Sequence, residues 1–338
     1  MIVHFFKRIM KQFSSETVWH MNEETLLSLL ESGKLLPETE RINFYAPSFM
    51  YYRTSYYRSS TMDFPTISVT GKGCSLKCKH CGGRVLETMY PATTPKDLFR
   101  LCERIRAKGG VGCLISGGCL PDGSVPLREF AETIGKVKKL GLTVFVHSGI
   151  VDLATAKALK NAGIDAALID IIGSDETIKE IYNLNVTVED YARSLKVLRN
   201  ARIVTVPHVI VGLHHGRLFG EFNALHMIKK YSPSAVVIIA FMPIRGTDME
   251  HVNPPKPLDI ARVVATARLM FPNTPVVLGC MRPKGKHREE TDILAVKAGA
   301  NAIAFPTERA VKFAEDNGYD VAFSSMCCSQ IYADIIHA

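Results

Sequence analysis

The segment LTVFVHSGIVDLATAKALKNAGIDAALID, residues 142–170, decides the fold class of this chain. It opens with a short run rich in β-branched and aromatic residues, continues with a longer stretch that ends at Gly163, and closes with a second apolar run. A strand, a helix and a strand in this order are typical of a βαβ unit with parallel strands. If the unit repeats along the chain, the fold is a parallel α/β sheet.

The same alternation repeats along most of the chain. Amphipathic segments separate the apolar runs, and eight repeats spread over about 250 residues match the size of an α/β fold of the (β/α)8 TIM-barrel type. An open doubly wound sheet is the alternative. The eight predicted strands are TISVT (66–70), GCLIS (112–116), LTVFVH (142–147), DAALID (165–170), RIVTVPHVIV (202–211), AVVIIAF (235–241), PVVLG (275–279) and AIAF (302–305).

The pattern divides the chain into two parts. Residues 61–338 are expected to form the barrel together with a C-terminal tail. Residues 1–60 are expected to form an N-terminal helical extension, because EETLLSLLESG at 23–33 carries leucines at helical spacing and ends at a glycine. Within that part, YYRTSYYRSS at 51–60 alternates tyrosines with arginines. A strap lying against the barrel is favoured there over an RNA-binding strip.

Composition narrows the class of protein. With 338 residues, 47% hydrophobic and 22% charged, the chain has the make-up of a globular protein rather than a disordered or fibrous one. Its 41 basic and 33 acidic residues give a net charge of +8, which favours acidic partners without identifying them. A nucleic-acid partner is not expected. Neither a signal peptide nor a membrane-spanning stretch is predicted, so we expect a cytoplasmic protein.

Three of the nine cysteines lie in one short loop directly after the first predicted strand. Cys74, Cys78 and Cys81 are spaced CxxxCxxC and flanked by glycines. Thiolates at this spacing can bind three corners of a cubane iron-sulfur cluster. Structural zinc sites usually combine two pairs of ligands, which makes zinc the less favoured alternative. The odd number of cysteines in a chain without an export signal argues against a disulfide framework.

The CxxxCxxC loop after the first strand of a (β/α) barrel resembles the radical S-adenosylmethionine (SAM) superfamily. The resemblance covers about residues 60–330. It implies a [4Fe-4S] cluster held by Cys74, Cys78 and Cys81, with SAM bound to the fourth iron. In that family an electron from the cluster cleaves SAM, and the resulting 5'-deoxyadenosyl radical removes hydrogen from an unactivated C–H bond.

The resemblance also implies residues that contact SAM, although each of them is equally compatible with an ordinary loop or buried polar position. A glycine motif ends the second strand and is similar to the one that meets the methionyl amine, but Cys119 replaces the acidic residue that often follows. The remaining positions are similar to contacts with the adenine, the ribose and the carboxylate. The full set is His80, Ser116, Gly117, Gly118, Asp170, His208, Gly212 and Arg245.

The other six cysteines fall into two groups by predicted position. Cys102 on a helix and Cys113 at the start of a strand are expected in the core. Four others follow the C-terminal ends of strands or the last βα unit, so they are expected at the same mouth as the first cluster. These four, Cys119, Cys280, Cys327 and Cys328, are candidate ligands of an auxiliary iron-sulfur cluster, with four unrelated thiols as the alternative.

Within the superfamily the chain resembles the biotin synthase-like group, and most of all one subunit of the two-component, archaeal-type lipoyl synthases. Biotin synthase places cysteines on its third and fifth strands, where this chain has LTVFVHS and RIVTVPHVIV. The lipoyl resemblance implies sulfur insertion into an octanoyl chain on a lipoyl-domain protein, a possible second radical SAM subunit, and an electron donor such as ferredoxin. Basic residues after the seventh strand (Arg282, Lys284, Lys286 and Arg288) could receive the acidic substrate protein. Biotin synthase, another biotin synthase-like enzyme and a non-catalytic iron-sulfur carrier stay open.

Overall fold

The protein is built around one parallel sheet of eleven strands. A computed structural model describes residues 13–37 and 39–335. The strands in the sheet lie in the order β11-β1-β10-β9-β8-β7-β6-β5-β4-β2-β3. Their bounds are β1 Arg41–Tyr45, β2 Thr66–Ser68, β3 Tyr90–Pro91, β4 Gly112–Ser116, β5 Thr143–His147, β6 Ala166–Asp170, β7 Thr205–Val211, β8 Val236–Ala240, β9 Val276–Leu278, β10 Ala302–Ala304 and β11 Asp320–Ser324.

Helices connect successive strands, as parallel pairing requires. In residues 142–170, Asp152 caps the helix that connects the two strands by accepting a hydrogen bond from the Thr155 N–H. Gly163 ends this helix with φ 73°. The described helices are α1 Ser15–His20, α2 Glu23–Glu31, α3 Pro95–Ala107, α4 Ala131–Lys138, α5 Leu153–Ala162, α6 Asp175–Tyr182, α7 Val188–Asn200, α8 Glu221–Lys229, α9 Pro257–Met270, α10 Lys286–Lys297, α11 Glu308–Asp316 and α12 Ile331–Asp334.

The predicted barrel-type fold is confirmed, and all eight predicted strands are present. Three further strands were not predicted. β1 lies before residue 60 and inserts between β10 and β11, while β3 extends the other edge beside β2. The expected boundary at residue 60 therefore falls between two strands of one sheet.

The C-terminal segment shows that the sheet curls. Tyr45 at the end of β1 donates a hydrogen bond to the Asp334 carboxylate at 2.6 Å, and Tyr332 donates to the Asp165 carbonyl beside β6 at 3.2 Å. Four strands separate β1 from β6 in the sheet. Because one short helix reaches both, the sheet must bend around it, and the tail lies inside the resulting half-barrel.

The N-terminal elements pack on the outside of the sheet's helices. The predicted helix at 23–33 is confirmed as α2, and the Arg262 guanidinium of α9 donates to three carbonyl oxygens at Val18, Trp19 and Met21. Residues 51–60 form a strap: Tyr57 stacks on Phe323 with ring centroids 5.1 Å apart. Among the described residues, every helix is too short or too polar to cross a bilayer.

Candidate active site

The three cysteines of the CxxxCxxC loop converge at the C-terminal end of β2. Cys78 and Cys81 are buried and Cys74 is half-buried. The Cys78 thiol lies beside the Cys81 sulfur, which lowers the pKa of Cys81 and raises that of Cys78, and His80 lowers the pKa of Cys81 further. Sulfurs held this closely, with one of them readily ionised, form a donor set for a metal centre.

The glycine motif after β4 packs directly against this loop. The Gly118 N–H donates to the Thr70 hydroxyl at 2.7 Å, and a Cβ on Gly118 would lie 2.0 Å from the Gly73 carbonyl oxygen. Only glycine permits this approach between the two loops. The His80 Nδ1 atom is buried there without a hydrogen-bond partner among the described residues. Clustered thiols and an orphaned polar atom fit a bound iron-sulfur cluster with a polar ligand.

The loops enclose a cavity of about 200 Å³. Its walls carry most of the predicted cofactor contacts together with two tyrosines, Tyr182 and Tyr191, that the sequence did not single out. The polar and sulfur-bearing residues of the lining are Cys74, Cys78, His80, Cys81, Met89, Ser116, Cys119, His147, Asp170, Tyr182 and Tyr191.

A polar trio lies at the ends of three adjacent strands. His147 ends β5, Asp170 ends β6, and His208 on β7 is directly paired with Asp170 in the sheet register. His147 Nε2 is 3.4 Å from Asp170 Oδ1. Against the effect of burial, Asp170 raises the pKa of His147, and His147 in turn lowers that of Asp170. Burial, and then His147, lowers the pKa of His208 to about 4. His208 is therefore neutral at pH 7.

A second group of thiols comes from segments that are distant from the CxxxCxxC loop in the strand order of the sheet. Cys280 follows β9, and Cys327 and Cys328 follow β11. The Cys328 thiol lowers the pKa of Cys327, while Cys280 and Cys327 are close enough to interact electrostatically. Burial raises the pKa of Cys280 to about 11. We call Cys280, Cys327 and Cys328 the second thiol group.

Cys119 does not join the second thiol group. Its carbonyl oxygen accepts from the Ser75 N–H at 2.8 Å, and its sulfur interacts with Cys74 and Cys81. The expected four-cysteine set is therefore divided, because Cys119 follows β4, which neighbours the strand before the CxxxCxxC loop, whereas the others follow β9 and β11. Burial raises the pKa of Cys119 to about 12.

Some predicted residues lie outside the cavity lining. The Gly212 N–H donates to the buried Glu221 carboxylate at 2.8 Å, and Arg245 is exposed in the loop after β8. Arg282 is fully buried and paired with Asp292 at 2.7 Å, so it cannot receive a substrate protein as the sequence suggested. Lys284 and Lys286 in the same loop are exposed. Cys102 and Cys113 are fully buried, as expected for core residues.

Sequence reasoning missed His147. It lines the cavity beside the CxxxCxxC loop, at the C-terminal end of β5. A usable signal was present, because a polar residue at the C-terminal end of a predicted barrel strand points to the functional face. Tyr182 carried no such signal, since it ends α6 and reaches the cavity only through the fold, with its ring 5.2 Å from that of His80.

Comparison with known families matches two consecutive parts of the chain. Residues 68–216 match the Radical SAM superfamily, and residues 237–321 match the Biotin and Thiamin Synthesis associated domain. The first match contains the CxxxCxxC loop, and the second contains Cys280. The chain therefore contains a radical SAM domain followed by a domain of the biotin and thiamin synthesis type, a combination consistent with a biotin synthase-like radical SAM protein.

Individual relatives support the same grouping. The chain is 27% identical over 302 residues to a biotin synthase of Neorickettsia sennetsu, covering 85% of this chain and 86% of that protein. It is 26% identical to a biotin synthase of Chromohalobacter salexigens, over 85% and 76% of the two chains. It is 27% identical to a biotin synthase of Prochlorococcus marinus, over 71% and 73%.

Solved structures share the fold at low sequence identity. Methylornithine synthase (PylB) matches with a TM-score of 0.65 and 15% identity, covering 98% of this chain and 99% of the other. The [FeFe]-hydrogenase maturase HydG also matches with a TM-score of 0.65 and 15% identity, covering 98% of this chain and 77% of the other. These likenesses establish the architecture.

Proposed function

We propose that this chain is a sulfur-inserting radical SAM enzyme that acts on a protein-bound octanoyl chain, as a lipoyl synthase subunit does. The observation that carries the proposal is the second thiol group, whose cysteines come from the segments after β9 and β11 rather than from the CxxxCxxC loop. A donor of sulfur and a generator of radicals must both reach one substrate carbon. Two thiol groups around a common interior provide that arrangement.

The residues fit a cofactor at each position. Cys74, Cys78 and Cys81 would hold the [4Fe-4S] cluster that binds SAM. With SAM bound, such a cluster supplies the radical chemistry that activates an aliphatic C–H bond. Beside the second thiol group, Ser329 Oγ and Gln330 Oε1 are buried with no hydrogen bond among the described residues. Orphaned polar atoms next to clustered buried thiols are expected where a bound group is needed to complete the site.

The remaining lining residues position ligands and exclude water. Tyr182, Tyr191 and the glycine motif close the cavity on the side of the CxxxCxxC loop. The His147–Asp170 pair belongs to the lining and offers polar atoms at the ends of two adjacent strands, and the neutral His208 lies next to this pair outside the lining. Strand ends are rigid supports, so these groups hold a ligand in one orientation.

Two features favour an octanoyl substrate over dethiobiotin. The cysteines of the second thiol group do not lie on the third and fifth barrel strands, where biotin synthase has cysteines, and the chain carries a positive net charge. β5 and β7 present His147 and His208 toward the site and carry no cysteine. Cys280, Cys327 and Cys328 come from other segments. Lys284 and Lys286 are exposed just after Cys280, in a chain of net charge +8, and suit an acidic carrier domain.

Biotin formation is the second candidate, and the biotin synthases among the relatives favour it. The substrate would then be dethiobiotin, a small molecule, rather than an octanoylated protein. The two candidates share the radical chemistry and differ in the acceptor.

One anaerobic assay separates the candidates. Reconstituted protein, SAM and dithionite are combined with octanoylated lipoyl domain or with dethiobiotin, each with and without a second radical SAM subunit, and products are analysed by mass spectrometry. We expect sulfur to be added to the octanoyl chain. Sulfur on dethiobiotin alone would assign biotin formation. Formation of 5'-deoxyadenosine with no sulfur on either acceptor would refute sulfur insertion and leave the radical SAM assignment standing.

A further inference from the structure

His147, Asp170 and His208 form a cluster of possible metal ligands beside the cavity. His147 and Asp170 end β5 and β6, and His208 on β7 is the register partner of Asp170. One donor atom from each side chain lies within 4.8 Å of the other two. Because the three residues come from adjacent strands, the sheet itself brings them together. Two imidazoles and one carboxylate form a donor set that binds zinc or ferrous iron.

The separation between His147 and Asp170 fits a shared metal ion better than a hydrogen bond. Nε2 of His147 is 3.4 Å from Oδ1 of Asp170. A charge-assisted hydrogen bond between these groups would be about 2.7–2.9 Å long. Two ligands bound at about 2.0–2.2 Å to one tetrahedral ion are about 3.4 Å apart. Oδ1 of Asp170 is also buried without a hydrogen-bond partner among the described residues, as expected where a bound group completes the site.

The backbone holds the His208 ring in the form that a metal ion requires. Nδ1 of His208 is 3.1 Å from the Val206 carbonyl oxygen, which can only accept a hydrogen bond. Nδ1 therefore carries the proton, and the lone pair of the neutral ring lies on Nε2. Metal-bound histidines usually donate their other ring N–H to a carbonyl or a carboxylate, because this contact fixes the tautomer and the orientation of the ring.

The cluster lies at the wall of the cavity. His147 and Asp170 belong to the cavity lining, whereas His208 lies next to them outside the lining and is only 7% exposed. An ion held by the three side chains would therefore keep its remaining coordination position toward the cavity. Three protein ligands with one open position are typical of catalytic metal sites rather than structural ones.

We propose that His147, Asp170 and His208 bind one divalent transition-metal ion of the Zn²⁺ or Fe²⁺ type, whose open position takes an oxygen donor of the molecule in the cavity. This mononuclear site is separate from both thiol groups, and the inference does not depend on which acceptor receives sulfur. Asp170 and His208 are also among the positions that resemble SAM contacts. Direct contact of the trio with SAM is therefore the alternative that the test must exclude.

Zinc binding to the reconstituted full chain tests the site. After iron and sulfide have been added, the protein is dialysed anaerobically against Zn²⁺, and bound zinc is counted by mass spectrometry. We expect about one zinc per chain. X-ray absorption at the zinc edge should show imidazole nitrogen and carboxylate oxygen as protein ligands. The Cys327→Ala/Cys328→Ala chain should take up the same zinc, because the second thiol group contributes no ligand.

Variants locate the bound ion. His147→Gln and His208→Gln should each weaken zinc binding by more than about 100-fold, since even the loss of an outer-shell partner typically costs about 10–100-fold. His226→Gln is the matched control, because it changes an exposed histidine on α8. The control should bind zinc as the wild-type chain does. Circular dichroism identifies variants that misfold, and the zinc-edge spectrum of the wild-type chain decides the ligand type without them.

Three results would overturn the proposal. They are zinc held only through sulfur, zinc binding that is unchanged in both His147→Gln and His208→Gln, and complete loss of bound zinc when SAM is added. The last result would assign the three side chains to SAM. None of them bears on sulfur insertion, which the acceptor assay decides separately.

Discussion

The two thiol groups face the same half-barrel but are assembled in opposite ways. Cys74, Cys78 and Cys81 come from one loop of eight residues, whereas the second thiol group joins a residue after β9 to two residues after β11. The first group is specified by local spacing and can form wherever that loop is correctly bent. The second exists only after β1 has inserted between β10 and β11 and the tail has entered the interior. The first group can therefore be recognised from the sequence as a motif. The second group can be recognised only from the order of the strands in the folded sheet.

Removing one sulfur from the first thiol group is expected to have the largest effect on activity. Cys78→Ala leaves only two of the three cysteine ligands, so the cluster should be lost and formation of 5'-deoxyadenosine from SAM should fall to background in anaerobic assays with dithionite. Cys102→Ala is the matched control, because this cysteine is fully buried in the core away from the cavity. The control should keep its deoxyadenosine activity and lose about 1 kcal/mol of stability. Substantial SAM cleavage by Cys78→Ala would contradict the assignment of the first group.

Removing the second thiol group should separate SAM cleavage from sulfur transfer. In Cys327→Ala/Cys328→Ala, reductive cleavage of SAM should continue while sulfur transfer to the acceptor stops, because the two groups occupy different segments. Both products are measured in the same reaction by liquid chromatography and mass spectrometry. Loss of both activities together, in a variant with native circular dichroism, would mean that the two groups do not act independently.

The stability of the segment that follows Cys280 is expected to depend on a buried ion pair. Arg282 donates to Asp292 at 2.7 Å and to the Gly279 and Ala304 carbonyl oxygens, all without solvent exposure. Arg282→Ala leaves a buried carboxylate unpaired, which should lower the free energy of unfolding by about 3–5 kcal/mol.

Urea denaturation measures the effect of Arg282→Ala against a surface control. Arg309→Ala breaks an exposed pair with Glu289 at 3.1 Å and should cost less than about 1 kcal/mol. Equal losses in the two variants would contradict a special role for the buried pair.

A smaller, pH-dependent effect on the stability of the fold is expected from Glu221, which belongs to neither thiol group. Burial raises the pKa of Glu221 from 4.5 to about 7, although its carboxylate accepts hydrogen bonds from the Gly212 and Phe219 N–H groups. The folded state thus binds this proton more tightly than the unfolded state. Its contribution to stability is complete below pH 4.5 and is lost as the pH rises through about 7, and the loss is about 3 kcal/mol.

Urea unfolding between pH 5 and 8 tests the Glu221 effect. The stability of the wild-type chain should decline with pH more steeply than that of Glu221→Gln, which has no titrating group at this position. Parallel pH profiles for the two proteins would show that Glu221 does not titrate in this range.

Features that are encoded by neighbouring residues could be predicted from the sequence, whereas features that depend on pairing between distant segments could not. The strands of the βα repeats were predictable because each apolar run carries its own signal, as residues 142–147 and 165–170 do. RINFY at β1 was missed because its place in the sheet comes from pairing with β10 and β11, far along the chain. The grouping of Cys280 with Cys327 and the separation of Cys119 depend on the same strand order.

Counting iron and sulfide in three anaerobically reconstituted proteins tests the central claim that the two thiol groups hold separate metal centres. We expect about eight irons in the wild-type chain, and about four in both Cys74→Ala/Cys78→Ala/Cys81→Ala and Cys327→Ala/Cys328→Ala. A wild-type chain with about four irons, all retained when Cys327 and Cys328 are removed, would contradict it.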